Sequence, residues 1–264
     1  MKYQNELRVI EENIKKIFEE TSNIFTTENK GEQDIVTSND FYVERRLTEV
    51  IKESFPEDNF HTEEYYHETK LEDRTWIIDP IDGTSNYARG LELFVLQLAL
   101  YDKGDIVFSY IYAPLFDKAY YAIKDEGAYL NGKKFSLNKG MNTNNIMLSL
   151  VGFTHKTPDK TYYHKLLNSA IIHKYKLRML GSIGLELALM SEGVYDMFYS
   201  NVTNIWDLYP GILLLKEAGA ILLNEKMEEY RLNDLNLFVA RNKEIKEILK
   251  DMIWMKGSND NGTK

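Results

Sequence analysis

Two aspartates and a proline stand together in the stretch WIIDPIDGTSNY, which begins at Trp76. The apolar run before them predicts a buried strand that ends at Asp79, and Pro80, which has no N–H, predicts a turn there. That turn would hold Asp79 and Asp82 side by side, where two carboxylates repel unless a cation lies between them. Oxygen ligands with no Cys or His nearby suit a hard ion such as Mg²⁺, and the Ile81 carbonyl is a further candidate ligand.

The residues after the second aspartate suggest an anion site. Gly83, Thr84 and Ser85 are small and begin a predicted helix, whose free backbone N–H groups attract anions. A plainer interpretation also fits, namely an Asp-Pro turn in which Asp82 only caps the helix.

Other acidic residues are candidates to complete a metal site. Glu63 and Glu64 precede the motif, and Asp207 follows Trp206 at a predicted helix start, where the helix dipole favours a carboxylate. Each has an alternative role as well, since the glutamate pair fits a solvated loop and Asp207 fits a helix cap.

Composition excludes several classes of protein. The chain has 264 residues, 44% of them hydrophobic, so it can bury a large core. It has no cysteine, which excludes disulfides and thiolate zinc sites and fits a reducing cytoplasm. Its net charge is −9 without a clear basic cluster, and no apolar run approaches about 18 residues, so neither a nucleic-acid polymer nor a membrane is an expected partner.

The N-terminal half combines helical and strand patterns. Apolar spacing predicts a helix over residues 3–20 and a second helix that ends at Pro56, with Thr37 and Asp40 as its start signal. Residues 93–101, 105–113 and 118–124 are predicted to form antiparallel strands, and Asn131-Gly132 predicts a hairpin turn.

A polar connector at residues 138–145 suggests a boundary between two subdomains, 1–139 of α+β type and 140–264 of α/β type. The second subdomain alternates strands and helices, and residues 257–264 are predicted to be a disordered tail. Its predicted strands are 146–153, 194–200 and 235–240, and its predicted helices are 161–172, 182–193, 206–220 and 242–255.

Several stretches, taken in order, resemble one family. DIVTSND, the Glu63-Glu64 pair, the motif from Trp76 to Arg89, GAYLNGKKF and WDLYPGILLLKEAGA are similar in order and spacing to the inositol monophosphatase family. These are Mg²⁺-dependent, lithium-sensitive sugar phosphatases, and they include fructose-bisphosphatases and phosphoadenosine-phosphate phosphatases. The resemblance implies a layered αβαβα fold of the α+β class, an active site between two subdomains and a homodimer.

The resemblance also implies roles for single residues. Two or three Mg²⁺ ions, or Mn²⁺, would be held by Glu63, Asp79, the Ile81 carbonyl, Asp82 and Asp207. Gly83 and Thr84 would bind the phosphate through backbone N–H groups, and the Thr84 hydroxyl with Glu63 would orient the attacking water. Glu64 and Asp40 would contact these ligands without binding the metal themselves, although Asp40 fits the helix-start signal equally well.

The implied reaction is hydrolysis of a small phosphorylated polyol or sugar, such as inositol 1-phosphate, by metal-activated water without a covalent intermediate. Four positions depart from the family pattern. Thr62 replaces a common glycine, Ser200 replaces an acid that binds inositol hydroxyls, and Tyr209 and Pro210 replace small residues. Pro210 is expected to fit within the first helical turn, and Tyr209 either narrows the pocket or packs behind it.

Other functions remain open at this level. Phosphoadenosine phosphate and fructose 1,6-bisphosphate are alternative substrates within the same family. Haloacid-dehalogenase-like phosphatases also use an Asp-x-Asp-Gly-Thr motif, but there the aspartates are two residues apart, whereas here they are three apart with a proline between. A regulatory protein that binds Mg²⁺ or a nucleotide without turnover is the non-enzymatic alternative.

Overall fold

The structure, a computed structural model, describes residues 2–21, 25–31, 34–137, 145–151 and 159–254. The first elements of the chain are two long helices separated by a small hairpin. They are α1 (Gln4–Glu19), β1 (Thr27–Gly31), β2 (Asp34–Thr37) and α2 (Ser38–Ser54).

Seven strands and one short helix follow α2. They are β3 (Asn59–Thr62), β4 (Thr75–Asp82), α3 (Thr84–Tyr87), β5 (Val95–Asp102), β6 (Asp105–Ala113), β7 (Lys118–Ile123), β8 (Gly127–Leu130) and β9 (Lys133–Phe135). The strands form one sheet in sequence order, in which β3 and β4 run parallel and the other pairs are antiparallel. The predicted central strands and the hairpin at Asn131 and Gly132 are therefore confirmed.

The remaining elements alternate between strands and helices, as predicted. They are β10 (Met147–Val151), α4 (Thr161–His173), β11 (Lys176–Arg178), α5 (Ile183–Glu192), β12 (Met197–Ser200), α6 (Ile205–Ala218), β13 (Ile221–Leu223), β14 (Leu237–Ala240) and α7 (Lys243–Trp254). Their strands form a second, mixed sheet in the order β11-β10-β12-β14-β13.

Three hydrophobic clusters stack these elements into five layers. One cluster lies between α1, α2 and the first sheet. A second joins the other face of that sheet to α5, α6 and one face of the second sheet. The third covers the far face of the second sheet with α4 and α7. The predicted αβαβα fold of the α+β class is therefore confirmed.

A bulge in β4 decides where the two aspartates of the motif point. Because strand residues alternate between faces, Ile77 and Asp79 share the face toward α5 and α6. Asp79 pairs with Gln97 and Asp82 with Val95, so three steps along β4 match two along β5. Without that extra residue, the spacing of three would place Asp82 on the opposite face.

The prediction that the strand ends at Asp79 with a turn at Pro80 was therefore wrong. The strand continues to Asp82, and Pro80 lies within the bulge, where a residue without an N–H does not break the ladder. A second expectation also fails. Pro210 is the sixth residue of α6, beyond the first turn, because the helix begins at Ile205.

Two predictions fall outside the described residues, and several short elements were not predicted. The proposed subdomain boundary at 138–145 and the tail lie almost entirely in residues that the structure does not describe, so both stay predictions. The polar hairpin β1–β2 and the short strands β3, β11 and β13 were missed, since none shows apolar alternation over enough residues. No helix among the described ranges is long and apolar enough to cross a membrane.

Close packing between α5 and α6 gives a test of this fold. A Cβ added to Gly211 would lie 2.3 Å from Leu187 Cδ1 and 2.7 Å from Leu187 Cβ. We expect Gly211→Ala to destabilise the protein by about 1–3 kcal/mol, because overpacking outweighs the roughly 1 kcal/mol that alanine contributes in a helix. Chemical denaturation measures this change.

The exposed Lys216 on the same helix supplies the control, since Lys216→Ala should change the stability by less than about 0.5 kcal/mol. A Gly211→Ala variant as stable as the wild type would contradict the close approach of the two helices.

Candidate metal and phosphate site

Three aspartates from one strand and one helix lie close together. Carboxylate oxygens of Asp79, Asp82 and Asp207 all lie within 4.8 Å of one another. The first two stand on β4 on either side of the bulge, and the third is in the first turn of α6. Residues far apart in sequence thus form one acidic cluster, which we call the aspartate cluster.

The start of α5 holds Asp82. The Ser182 hydroxyl and the backbone N–H of Gly184 both donate to Asp82 Oδ2 at 2.6 Å, and the N–H of Ile183 donates to Oδ1 at 3.1 Å. The unpaired N–H groups of a helix start favour a carboxylate, so α5 offsets part of the cost of burying this charge.

Asp79 is bound mainly by its own strand and by a neighbour on β5. Its Oδ1 accepts from the N–H of Ile81 at 3.1 Å, and Gln97 Nε2 lies 3.4 Å from its Oδ2 and 3.4 Å from the Asp207 carbonyl oxygen. Gln97 was not among the predicted site residues. The sequence offered one signal, a single amide within an otherwise apolar predicted strand. The structure shows that this amide is fully buried and pairs with Asp79 across the sheet.

Burial and mutual repulsion raise the pKa of every carboxyl in the aspartate cluster. For Asp79 the causes are burial first, then the charges of Glu63, Asp82 and Asp207, and its pKa rises well above the usual value. Burial likewise raises the pKa of Asp207. Burial raises the pKa of Asp82 to about 6, although the donors at the start of α5 act in the opposite direction.

Glu63 lies near the aspartate cluster but is not one of the residues whose carboxylate oxygens all lie within 4.8 Å of one another. It directly follows β3, and its N–H donates to the Ile78 carbonyl at 3.2 Å, so the parallel pairing of β3 with β4 brings it toward the motif. Its charge raises the pKa of all three aspartates. Glu63 and Glu64 are thus half-buried, whereas residues 65–70 of the same segment are exposed.

A lysine missed by sequence analysis stands beside the glutamate pair. Lys30 of the β1–β2 hairpin lies 3.3 Å from Glu63 Oε1 and also pairs with Glu64. The Glu64 side chain is only 2% exposed, against 24% for Glu63. Burial, followed by the charge of Glu63, raises the pKa of Glu64 to about 7.

Thr84 connects the motif to α2. Its hydroxyl lies 2.9 Å from the Ile81 carbonyl oxygen and 3.1 Å from Asp40 Oδ1. The second oxygen of Asp40 accepts from the backbone N–H and hydroxyl of Thr37, so Asp40 forms the capping box of α2 and contacts Thr84 as well. The two interpretations of Asp40 are therefore compatible.

Gly83 occupies a position that only glycine fits without strain. Its φ is +97°, and an added Cβ would lie 3.0 Å from Ser182 Cβ and 3.1 Å from the Leu93 carbonyl oxygen. The chain can therefore begin α3 directly against the start of α5.

All four departures from the family pattern are buried, and two of them, Tyr209 and Ser200, bear on the pocket. Tyr209 is 4% exposed and packs in the core behind the aspartate cluster, with its hydroxyl 3.4 Å from the Leu232 carbonyl oxygen. Ser200 is fully buried, and its hydroxyl accepts from the N–H of Val202 at 3.2 Å. Tyr209 therefore packs behind the pocket, and Ser200 presents no acid to a ligand.

The chemistry of these side chains fits a hard divalent cation. The aspartate cluster and Glu63 offer only oxygen atoms, and their repulsion would fall if positive charge lay between them. Glycine and backbone N–H groups at the start of α3 stand next to them, which is where an anion would bind.

Comparison with known proteins supports this interpretation. The model of the inositol monophosphatase family matches residues 3–256. A protein named fructose-1,6-bisphosphatase/inositol-1-monophosphatase from Aquifex aeolicus is 31% identical over 219 residues, which cover 81% of this chain and 79% of that one. The chain belongs to the inositol monophosphatase family. It is therefore a phosphomonoesterase, and the haloacid-dehalogenase-like alternative is wrong.

Two further similarities show the range of this family. A protein named Nus factor SuhB from Pasteurella multocida is 30% identical over 222 residues, 83% of each chain. A solved IMPase/NADP phosphatase, complexed with Mg²⁺ and phosphate, has the same fold with a TM-score of 0.76 at 23% identity, over 96% of this chain and 94% of that one. Membership of the family and the aspartate cluster support metal dependence.

The raised carboxyl pKa values predict how the metal-free protein responds to pH. A carboxyl whose pKa is higher in the folded than in the unfolded state binds its proton more tightly when folded. Its contribution to stability is therefore present near pH 4 and is lost as the pH rises through the folded pKa, about 6 for Asp82. For Asp82 this loss runs from about pH 4, the usual pKa of an aspartate, to about pH 6, so the metal-free protein should lose stability over that range.

Removing one charge isolates this effect. With a chelator present, Asp207→Asn should raise the melting temperature at pH 8, by roughly 2–4 °C for each kcal/mol of repulsion relieved, and the gain should shrink as the pH falls toward 4. Thermal unfolding of both proteins across this range measures it. A variant that is less stable than the wild type at pH 8 would contradict the account.

Proposed function

We propose that this protein hydrolyses a small phosphorylated polyol or sugar of the inositol 1-phosphate type. The observation that supports this proposal is that Asp79, Asp82 and Asp207 lie together beside the start of α3. Two or three Mg²⁺ ions, with Mn²⁺ as an alternative, would be held by Glu63, Asp79, the Ile81 carbonyl, Asp82 and Asp207. When bound, they would supply the positive charge that activates water and stabilises the leaving oxygen.

The substrate phosphate would lie against the start of α3. Backbone N–H groups of Gly83 and Thr84 would donate to its oxygens, since the first N–H groups of a helix have no partner within the helix. The positive φ of Gly83 supports this role, because it lets α3 begin directly against the start of α5, next to Asp82.

Thr84 and Glu63 would orient the attacking water. The Thr84 hydroxyl donates a hydrogen bond to Asp40 or to the Ile81 carbonyl, so its oxygen remains free to accept a hydrogen bond from water. The Glu63 carboxylate accepts the second hydrogen, which leaves a lone pair of the water aimed at phosphorus. Asp40 holds Thr84 in this orientation, and Glu64 with Lys30 holds Glu63.

Fructose 1,6-bisphosphate is a second candidate substrate. The name of the Aquifex aeolicus relative covers both activities, and Ser200 supplies no acid for inositol hydroxyls. Phosphoadenosine phosphate is a third alternative. Inhibition by lithium, a homodimer, a cytoplasmic location and the absence of nucleic-acid and membrane partners stay predictions.

Phosphate release tests the proposed ligands. The wild type should release phosphate from inositol 1-phosphate with Mg²⁺ and lose this activity with a chelator. Loss of a residue that hydrogen-bonds a metal ligand lowers activity by roughly 10–100-fold. Asp79 is proposed to bind the metal directly, so Asp79→Asn should lower kcat by more than this. Asp105→Asn is the control, because this carboxylate pairs with Lys124 at the end of the sheet.

An Asp79→Asn variant that keeps near-normal activity, or phosphate release that is independent of metal in the wild type, would refute the assignment.

The buried Ser200 predicts weak discrimination among sugar phosphates. A site that hydrogen-bonds a substrate hydroxyl through a dedicated group rejects analogues that lack this hydroxyl by about 10⁴–10⁵-fold, and this chain lacks the expected acid at that position. We expect kcat/KM for inositol 1-phosphate and fructose 1,6-bisphosphate to differ by less than about a hundredfold. Steady-state kinetics on both, with phosphoadenosine phosphate as a third substrate, measure the ratios.

A strong preference for phosphoadenosine phosphate over both sugar phosphates would contradict the proposed substrate class.

A further inference from the structure

A buried carboxylate outside the predicted site holds the segment that carries Glu63. Glu44 on α2 is fully buried. Its Oε2 accepts from the N–H of Glu64 at 2.8 Å, and its Oε1 accepts from the N–H of Tyr65 at 2.9 Å and from the Thr62 hydroxyl. One carboxylate thus binds the chain on both sides of Glu63.

The position of Glu44 on α2 relates it to the other half of the site. Asp40 and Glu44 are four residues apart, so they lie one turn apart on the same helix face. Asp40 contacts the Thr84 hydroxyl at 3.1 Å, while Glu44 binds the segment around Glu63. A single turn of a rigid helix therefore connects the two residues that would orient the water.

The capping box fixes where this turn begins. The Thr37 side chain accepts a hydrogen bond from the N–H of Asn39 at 3.2 Å. The Asp40 carboxylate in turn accepts one from the N–H of Thr37 at 2.9 Å. Val43 and Leu47, next to Glu44 along the helix, are fully buried against the first sheet. Glu44 is thus held in place by packing around it as well as by the three donors.

Burying a carboxylate is costly unless donors replace the water that it loses. Burial raises the pKa of Glu44, and the bonds from Thr62, Glu64 and Tyr65 oppose that effect. An apolar residue at this position would avoid the cost and still fill the core, but it would leave the N–H groups of Glu64 and Tyr65 without these acceptors.

We propose that Glu44 is a positioning residue that fixes the Glu63 carboxylate relative to Thr84, and thereby sets both the Mg²⁺ affinity and the rate of hydrolysis. The inference rests on the proposed function of Glu63. Its consequence is that a change at Glu44 acts on metal binding only through Glu63.

The test is Glu44→Gln, with Mg²⁺ affinity measured by calorimetry without substrate and kcat measured separately. Glutamine has nearly the same shape, but its NH₂ group cannot accept a backbone N–H, so one of the two backbone bonds is lost. We expect Mg²⁺ binding and kcat each to fall by about 10–100-fold, the range for outer partners of a metal ligand.

Glu217 on α6 gives a matched control. Its Oε1 accepts from the N–H of Asp125 at 2.9 Å and its Oε2 from the N–H of Gly127 at 2.8 Å, in the turn between β7 and β8. Glu217→Gln therefore removes the same type of bond away from the site. It should change Mg²⁺ affinity and kcat by less than about twofold, which on a free-energy scale is within the range of neutral substitutions.

A double-mutant cycle with Glu63→Gln separates positioning from a general effect on the fold. If Glu44 acts through Glu63, Glu44→Gln should weaken Mg²⁺ binding by less than about twofold once Glu63 has been replaced. An equal loss in both backgrounds, or a loss no greater than that of Glu217→Gln, would overturn the proposal.

If Glu44→Gln does not fold, Thr62→Val takes its place in the cycle, because it removes one donor to the same carboxylate with little change of shape. It should weaken Mg²⁺ binding by a few-fold in the wild type and leave it unchanged in Glu63→Gln, and unchanged binding in both backgrounds would overturn the proposal. A wild-type protein that neither binds Mg²⁺ nor releases phosphate would instead refute the proposed function itself.

Discussion

The repulsion among buried and half-buried carboxylates is the constraint on which the rest of the site depends. Asp79, Asp82 and Asp207 have oxygens within 4.8 Å of one another, and Glu63 adds a fourth charge nearby. Two unit charges about 4 Å apart repel by about 4 kcal/mol at the effective dielectric constant of a protein. A fold that is stable by only about 5–15 kcal/mol keeps such a group only where its surroundings hold the carboxylates in place.

Four parts of the fold hold these side chains. The bulge in β4 turns Asp79 and Asp82 to the same face of the sheet, and the start of α5 binds Asp82 with one hydroxyl and two N–H groups. The first turn of α6 brings Asp207 to that face, and α2 holds Thr84 through Asp40. Each side chain is thus fixed by a helix end or by a sheet, which leaves little freedom to relax the repulsion by moving apart.

Apolar period predicted most helices and strands, a specific motif predicted the acidic residues, and the resemblance to the family implied the layers. The sequence did not predict the bulge, because a proline after a strand is equally typical of a turn. Gln97, Lys30 and Glu44 were missed for a different reason. Their importance depends on distances to residues that are remote in sequence, such as Gln97 to Asp207, and no local pattern encodes those distances.

We infer that these carboxylates already occupy their positions before divalent cations bind. Crystals grown without metal and then soaked in Mn²⁺, with anomalous diffraction measured before and after, test it most directly. The account predicts anomalous peaks among Asp79, Asp82, Asp207 and Glu63, with the backbone at the bulge and at the start of α5 unchanged. Absence of a peak there, or aspartates that point apart in the metal-free crystal, would contradict it.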